Sequence, residues 1–257
     1  MPRVTGILVL AHACAAGCNH TQTADRGGAP VKPEQPTLIE PKGNVLYEEK
    51  FADLKNWRHE GGHKLLLDKD EPGTLRLECI GSGQGKKGTQ AFCLTDFPDG
   101  IAVEFDFKAL TKRGLLLCFV AMKGIDGEDM FDPKQPKREG IFNDYVRNPK
   151  LRSYHVSISR YGDKGIHTGV SNFRRNPGLN LVGQGPDLCK EIKTWYRIRV
   201  IKVGGHLQLG VNGKLAHEFT DPKTLKTPMP NSGKVGFRAI GKDVRTLIRN
   251  FRVRALR

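Results

Sequence analysis

Hydrophobic and polar residues alternate along several short stretches of this chain, most clearly in its C-terminal third. Leu207, Leu209 and Val211 alternate with Gln, Gly and Asn residues, and a period of two places alternate side chains on opposite faces of a β-strand. The pair Asn212-Gly213 follows, and it is typical of a two-residue hairpin turn. The alternation resumes at Leu215, so the pattern predicts two strands joined by a tight hairpin.

Similar stretches recur upstream. A β-rich run covers residues 195–203, and a turn sequence at residues 70–73 separates two further strand candidates. At least ten short segments of this kind are separated by Gly, Pro, Asn and Asp, with almost no helical periodicity. This arrangement predicts an all-β fold, and for a domain of this length it favours a jelly-roll sandwich of two antiparallel sheets.

The N-terminal residues are typical of a targeting signal rather than of a folded domain. A short basic start precedes an apolar stretch, and Ala15-Ala16-Gly17-Cys18 resembles the lipobox of bacterial lipoproteins. We therefore interpret residues 1–18 as a lipoprotein signal with Cys18 as the lipidation site, residues 19–43 as a disordered tether, and residues 44–257 as one domain. The alternatives are an ordinary secreted protein and a chance resemblance. The interpretation predicts an extracytoplasmic protein that reaches the membrane through its lipid anchor only.

The chain is strongly basic, with 42 Lys and Arg against 27 Asp and Glu residues and a formal net charge of +15. Such a balance suits an anionic partner, for example an acidic polysaccharide. The basic residues are dispersed and lie in no recognisable nucleic-acid motif, so we expect no nucleic acid as a partner. A solvated basic surface without a specific partner is the alternative.

Beyond the proposed signal, four cysteines remain, and four cysteines allow three disulfide pairings. Cys79 and Cys93 flank a Gly-rich connection and could face each other across two strands. Cys118 lies in an apolar run and is expected to be a buried free thiol. Because the chain contains no CxxC pair, we expect no zinc site.

Polar and titratable residues gather between residues 123 and 190, where the apolar pattern is weak. A long irregular connection in a compact domain is often functional. The candidate catalytic residues are His155, Tyr161 and His167. The candidate substrate-binding residues are Glu128, Tyr145, Arg160, Asn172, Arg174 and Gln184.

Several segments along the chain resemble the Domain of Unknown Function 1961 family. They include Phe97-Pro98-Asp99, residues 126–133, His155-Val156-Ser157, His167-Thr168 and Gln184-Gly185, and the C-terminal segments at residues 233–238 and 250–253 continue the likeness. The resemblance runs from about Leu46 to the C-terminus. It implies a concanavalin A-like lectin/glucanase sandwich and chemistry on glycans.

Three functions fit these residues. Glycoside hydrolysis needs two carboxyl groups across a sugar; Glu104 and Asp106 share one strand face, but Lys108 stands where a further acid belongs, and a solvent-facing charged ladder is the alternative. The acidic residues Asp126, Glu128, Asp129 and Asp132 could bind calcium, although turn and cap chemistry explains them as well. We expect no other cofactor.

The second function is β-elimination on an acidic polysaccharide, for which His or Tyr supplies acid and base and Arg, Asn or Gln neutralises the uronate. The third is non-catalytic glycan binding, with Trp57, Tyr145 and Tyr154 as candidate stacking rings. Titratable groups outnumber aromatic residues in the irregular region. The sequence therefore favours a carbohydrate-active enzyme, a lyase or a hydrolase with a concave groove, over a lectin-like module, and it leaves the choice open.

Overall fold

The computed structural model describes residues 36–62, 64–79 and 88–257. The proposed signal, including Cys18, and the tether as far as residue 35 lie outside the described residues. The strands are β1 (Val45–Glu49), β2 (Trp57–Glu60), β3 (Lys64–Leu67), β4 (Thr74–Cys79), β5 (Thr89–Phe97), β6 (Ile101–Ala109), β7 (Gly114–Gly124), β8 (Leu151–Tyr161), β9 (Val170–Asn176), β10 (Asn180–Pro186), β11 (Tyr196–Val203), β12 (His206–Val211), β13 (Lys214–Thr220), β14 (Gly233–Ile240) and β15 (Val244–Ala255). A short helix, α1, covers Asn143–Val146.

These strands form two antiparallel sheets. Sheet A has eight strands in the order β13-β12-β11-β6-β15-β4-β3, with β1 also paired to β15, and sheet B has seven in the order β10-β9-β8-β7-β14-β5-β2. The predicted all-β jelly-roll sandwich is confirmed. The predicted hairpin is confirmed as well, because β12 and β13 pair directly and Asn212 and Gly213 between them both have positive φ angles.

The main core lies between the two sheets, where alternate residues of each strand meet. Phe237 of β14 packs at its centre, with ring centroids 4.8 Å from Phe105 and 5.8 Å from Trp57. A second, smaller apolar cluster uses the opposite residues of sheet B, among them Phe92 and Phe119, and lies on that sheet's outer face. Residues 125–150, which include α1, cover part of this outer face and leave the rest open.

The chain packs against the sandwich before residue 44. The Gln208 side chain accepts a hydrogen bond from the Ile39 backbone N–H at 2.8 Å and donates one to the Thr37 carbonyl at 2.9 Å. The last part of the predicted tether, residues 36–43, therefore lies on sheet A, because an amide side chain of β12 pairs with its backbone.

The four described cysteines are buried thiols, and they form no disulfide. Cys118 has the environment predicted for it, and burial raises the pKa of its thiol. Cys79 and Cys93 do not face each other across paired strands, since Cys79 lies in β4 of sheet A and Cys93 in β5 of sheet B, and both are free thiols. Within the described part of the chain, no helix has the length and apolar character needed to cross a bilayer.

Candidate functional site

The outer face of sheet B contains a cavity of about 260 Å³ beside the segment that covers the second cluster. We call it the outer-face cavity. Its lining residues are Leu115, Leu117, Phe142, His155, Ser157, Arg160, Asn172, Arg174, Leu179 and Ile240. The aliphatic and aromatic residues form one wall, and the polar residues of β8 and β9 form the other.

Strand pairing brings the polar wall together. His155 of β8 stands directly opposite Arg174 of β9 in the antiparallel register. Ser157 and Asn172 lie two residues further along the same strands, and a spacing of two keeps their side chains on the same face. The Asn172 backbone N–H donates to the Ser157 Oγ at 2.9 Å, which ties the two strands at this point.

The two arginines of the cavity are not neutralised. The Arg174 Nη1 donates to the Leu179 carbonyl at 2.7 Å. Among the described residues, no carboxylate forms an ion pair with the guanidinium group of Arg160 or Arg174; the Asp187 carboxylate accepts only from the Arg160 backbone N–H, at 2.8 Å. Burial, followed by the positive charges of Arg160 and Arg147, lowers the pKa of Arg174. The two guanidinium groups therefore present positive charge to the cavity without an ion-pair partner in the part of the chain that the structure describes.

His155 is buried at the base of the polar wall, with 2% of its surface exposed. Its Nδ1 lies 2.9 Å from the Asn176 Nδ2, which also donates to the Ser153 Oγ at 2.8 Å. Burial, together with the positive charges of Arg174 and Arg238, lowers the pKa of His155 to about 3. The imidazole is therefore neutral at physiological pH.

Gln184 of β10 stands next to the cavity. Its Nε2 donates to the Asn172 Oδ1 at 2.8 Å, so Gln184 acts on the cavity through Asn172. The structure thus brings together five of the predicted residues: His155, Arg160, Asn172, Arg174 and Gln184.

Tyr161 and His167 form a separate pair that does not line the cavity. Their ring centroids are 5.0 Å apart. The His167 Nε2 lies 3.2 Å from the Asp187 carboxylate, and the Tyr161 hydroxyl donates to the Lys190 carbonyl. Of the three candidate catalytic residues, only His155 therefore lines the outer-face cavity, because a turn after β8 carries His167 away from it.

The three candidate stacking rings are interior residues. Tyr145 and Tyr154 have no exposed surface and Trp57 has 5%. The Tyr145 hydroxyl donates to the Glu60 carboxylate at 2.9 Å, and the Tyr154 hydroxyl donates to the Asp221 carboxylate at 2.6 Å. This corrects the prediction that these rings, including Tyr145 as a substrate-binding residue, meet a sugar, because each is enclosed by protein.

The acidic residues after β7 make turn contacts. The exposed Glu128 accepts from the Asp126 backbone N–H at 3.2 Å, and Asp129 pairs with Lys234 at 3.0 Å. No group of three or more metal-binding side chains occurs in the ranges that the structure describes. Glu128 therefore lies in a turn and is not among the residues that line the outer-face cavity.

The incomplete hydrolase pattern lies on the other sheet. Glu104 and Asp106 belong to β6 of sheet A, where Glu104 accepts from the Arg199 Nε at 2.8 Å and Asp106 from the Asn250 Nδ2 at 2.7 Å. The Lys108 ammonium pairs with Glu71. The alternative interpretation, a charged ladder on the surface, matches this arrangement.

Sequence reasoning missed Asn176, Phe142 and Leu179. Asn176 could have been found from its spacing, because it lies two residues beyond Arg174 and so shares its strand face. Phe142 and Leu179 lie outside the strands, and nothing in the local pattern indicated that they reach the cavity.

Comparison with known proteins places this geometry in a family. The family model described as a domain of unknown function, DUF1961, matches residues 44–253. An uncharacterized Bacillus subtilis protein, YesU, is 31% identical over 220 residues, which is 82% of this chain and 96% of that protein. A Bacillus subtilis crystal structure described as a protein of unknown function with a galectin-like fold superposes with a TM-score of 0.74 at 28% identity, and the match covers 84% of this chain and 98% of that one.

More distant structures share the fold alone. The carbohydrate-binding module CBM66 from Bacillus subtilis gives a TM-score of 0.51 at 10% identity, over 79% of this chain and 98% of the module. The endo-β-1,3-glucanase from Pyrococcus furiosus gives 0.55 at 12% identity, over 87% and 99%. The match over nearly the whole folded domain and the similarity to YesU together show that this chain belongs to the DUF1961 family.

Proposed function

We propose that this protein binds an acidic polysaccharide and that the outer-face cavity receives one of its charged sugar residues. The observation that carries the proposal is the pair Arg160 and Arg174, whose guanidinium groups line the cavity without an ion-pair partner among the described residues. Guanidinium groups bind carboxylates and related anions strongly and with defined geometry. The net charge of +15 adds a long-range attraction for a polyanion.

The size and the wall of the cavity fit a sugar unit. Its volume of about 260 Å³ is near the lower end of ligand pockets, about 300 Å³. We therefore expect it to hold a single residue of a longer chain. Leu117 and Phe142 line the apolar side and can contact the C–H surface of a sugar ring, while the β8–β9 wall faces its polar groups. The sandwich is shared with a carbohydrate-binding module and a glucanase, which supports a role on carbohydrate.

Binding fits the geometry better than cleavage. Hydrolysis requires two carboxyl groups flanking the bond, whereas Glu104 and Asp106 lie on sheet A and are engaged by Arg199 and Asn250. Elimination requires a base within reach of the sugar proton. The Nδ1 of His155 already meets Asn176. This placement favours the lectin-like alternative over the lyase and the hydrolase.

A panel of acidic and neutral polysaccharides tests the proposal. We expect polyuronates to retard the protein in affinity gels and neutral glucans not to, and we expect Arg174→Ala to weaken the retention at least about tenfold. Arg197→Ala is the matched control, because it removes the same charge from an exposed position on sheet A. Equal losses of polyuronate retention in the two variants would show that only the net charge matters. That result would contradict the assignment of the outer-face cavity as the binding site. An unsaturated product that absorbs in the ultraviolet would show that the protein cleaves the polysaccharide by elimination, and the proposal of non-catalytic binding would be wrong.

We also propose that the protein is anchored outside the cytoplasm through a lipid on Cys18, with the following residues as a tether to the domain. The lipobox-like sequence Ala15-Ala16-Gly17-Cys18 supports this proposal. In a bacterial host, we expect metabolic labelling with a radioactive fatty acid and partition into detergent. Cys18→Ser should abolish both, and a labelled Cys18→Ser variant would contradict the proposal.

A further inference from the structure

The uncharged polar groups of the outer-face cavity are oriented by bonds behind them. Gln184 Nε2 donates to Asn172 Oδ1 at 2.8 Å. That contact occupies the oxygen of Asn172 and leaves its two Nδ2 hydrogens for the cavity. The backbone N–H of Asn172 donates to the Ser157 Oγ at 2.9 Å. The Ser157 hydroxyl therefore has an acceptor site filled and a hydrogen to donate.

The same rule applies to His155. The Asn176 amide donates to its Nδ1 at 2.9 Å, and a neutral imidazole with Nδ1 as acceptor carries its hydrogen on Nε2. Asn176 is fully buried and held between His155 and Ser153, so this orientation is fixed from inside the protein. His155 then offers the cavity a donor rather than a basic nitrogen.

We infer that every polar group of the outer-face cavity can donate a hydrogen bond and that the cavity selects an ionised oxyanion group of the saccharide, with Gln184 and Asn176 as its positioning residues. The inference rests on the proposed function. The guanidinium groups of Arg160 and Arg174 have no acceptor atoms, and the orienting bonds turn the donor groups of Asn172 and His155 to the cavity. The Ser157 hydroxyl keeps one free lone pair but also has its hydrogen to donate. A sugar hydroxyl both donates and accepts, and an ester carries no charge. A carboxylate or a sulfate ester only accepts, and so it matches every polar group of the wall.

The first experiment determines, without any ligand, which ring nitrogen of His155 carries the hydrogen. We expect ¹⁵N-resolved NMR of His155 to show the Nε2–H tautomer between about pH 6 and pH 8, and Asn176→Asp to convert it to the Nδ1–H tautomer, since a carboxylate can only accept. The Nδ1–H tautomer in the unaltered protein would overturn the inference. In that case, the buried Asn176 Oδ1, which has no partner among the described residues, would accept from Nδ1 instead.

The second experiment measures selectivity in variants of Gln184, which is an exposed residue. The probes are polygalacturonate and its methyl ester, which have the same backbone with and without the charge. We expect the unaltered protein to prefer the free acid at least about tenfold. In Gln184→Glu the carboxylate can only accept, so it bonds to the Asn172 Nδ2 and the Asn172 Oδ1 turns to the cavity. The ratio of the affinities for the free acid and the ester should then fall to near one.

Two control variants separate polarity from other causes. Gln184→Met removes the contact without reversing it and should keep most of the preference. Ile166→Glu places the same charge on an exposed turn after β8 and should keep the preference as well. If either control loses the preference as fully as Gln184→Glu does, the role of Gln184 is structural or electrostatic and the positioning role is wrong.

A sulfated galactan distinguishes the source of the oxyanion. Binding of polygalacturonate alone assigns a carboxylate, and binding of the sulfated polymer alone assigns a sulfate ester. The two proposals fail in different ways. If no polysaccharide binds while His155 shows the Nε2–H tautomer, the proposed function is wrong. If the acid and its ester bind equally, the function stands and the selection for an ionised oxyanion is wrong.

Discussion

Arginines lie at both ends of the outer face of sheet B, and their surroundings differ. At the β2 end, Arg138 makes two hydrogen bonds to the Glu60 carboxylate, at 2.7 and 2.8 Å, and Tyr145 donates to the same group. At the β9 end, Arg174 bonds to a backbone carbonyl, and the charges that lower its pKa are those of Arg160 and Arg147.

The difference separates a structural ion pair from the proposed binding site on one sheet. A buried charge that has its partner holds segments together, and here Arg138 joins the covering segment to Glu60 of β2. A charge left without a partner costs stability unless a ligand completes it. The two ends therefore predict opposite responses: substitution at the β2 end should affect folding, and substitution at the β9 end should affect binding.

The largest expected effect is at Glu60. Its side chain and that of Arg138 are 8% and 4% exposed, so Glu60→Ala leaves a buried guanidinium and the Tyr145 hydroxyl without their acceptor. We expect the free energy of unfolding to fall by about 3–5 kcal/mol, as measured by urea denaturation. The control is Arg58→Ala, whose side chain is half exposed and 3.7 Å from Glu60, with an expected loss below about 1 kcal/mol. A loss of that small size for Glu60→Ala would remove the distinction between the two ends.

The next effect is the acid sensitivity that His155 confers. Burial holds its pKa at about 3 in the fold, against 6.5 for a free histidine. As the pH falls below about 6.5, the unfolded chain binds a proton at His155 that the folded protein does not bind. The free energy of unfolding therefore decreases as the pH decreases. We expect the free energy of unfolding to decrease by about 1.5 kcal/mol between about pH 6.5 and pH 5. Urea denaturation at each pH measures this change.

His155→Gln should remove this part of the pH dependence. Above about pH 7.5 the imidazole is neutral in both states, so the stability curves of the variant and the unaltered protein should run parallel there. Parallel curves at acid pH as well would show that His155 is solvated in the fold, and the cavity wall would not have the structure described.

Local chemistry made part of this fold predictable from sequence. The hairpin at Asn212-Gly213 could be predicted because the turn residues and the alternation on either side are neighbours in the chain. Strand β9 was missed, because its residues read SNFRR and its inward positions include the buried Arg175, which pairs with Asp221. A buried ion pair hides the apolar pattern on which strand prediction depends.

The candidate site was predictable only in its residue types. His155 and Arg174 were chosen for their chemistry, and they meet because β8 and β9 pair in one particular register. His167 was chosen for the same reason and lies elsewhere, since the turn at residues 162–166 sets its position. Pairing of distant strands is a property of the whole sandwich, and a sequence read one segment at a time does not contain it.

A smaller effect is expected on sheet A, where Glu104 pairs with Arg199. These side chains are only 15% and 17% exposed, but a Gln oxygen can still accept from Arg199 and Glu40 still pairs with the Arg199 charge at 2.6 Å, so we expect a loss of at most about 1 kcal/mol. Glu104→Gln should therefore change the free energy of unfolding by less than this amount and leave polyuronate binding unchanged. A loss of polysaccharide cleavage in this variant, with the fold intact, would instead restore the hydrolase interpretation of β6.

The smallest expected change in stability is at Arg174. Arg174→Ala loses one hydrogen bond to the Leu179 carbonyl, and it also removes a positive charge that Arg160 and Arg147 repel. The two contributions oppose each other, so we expect the free energy of unfolding to change by about 0.5 kcal/mol or less while binding of polyuronates falls at least about tenfold. Urea denaturation and affinity gels on the same preparation give both values. If Arg174→Ala destabilises the fold as strongly as Glu60→Ala, Arg174 is held by a contact that the fold requires, and the two ends of sheet B serve the same structural purpose.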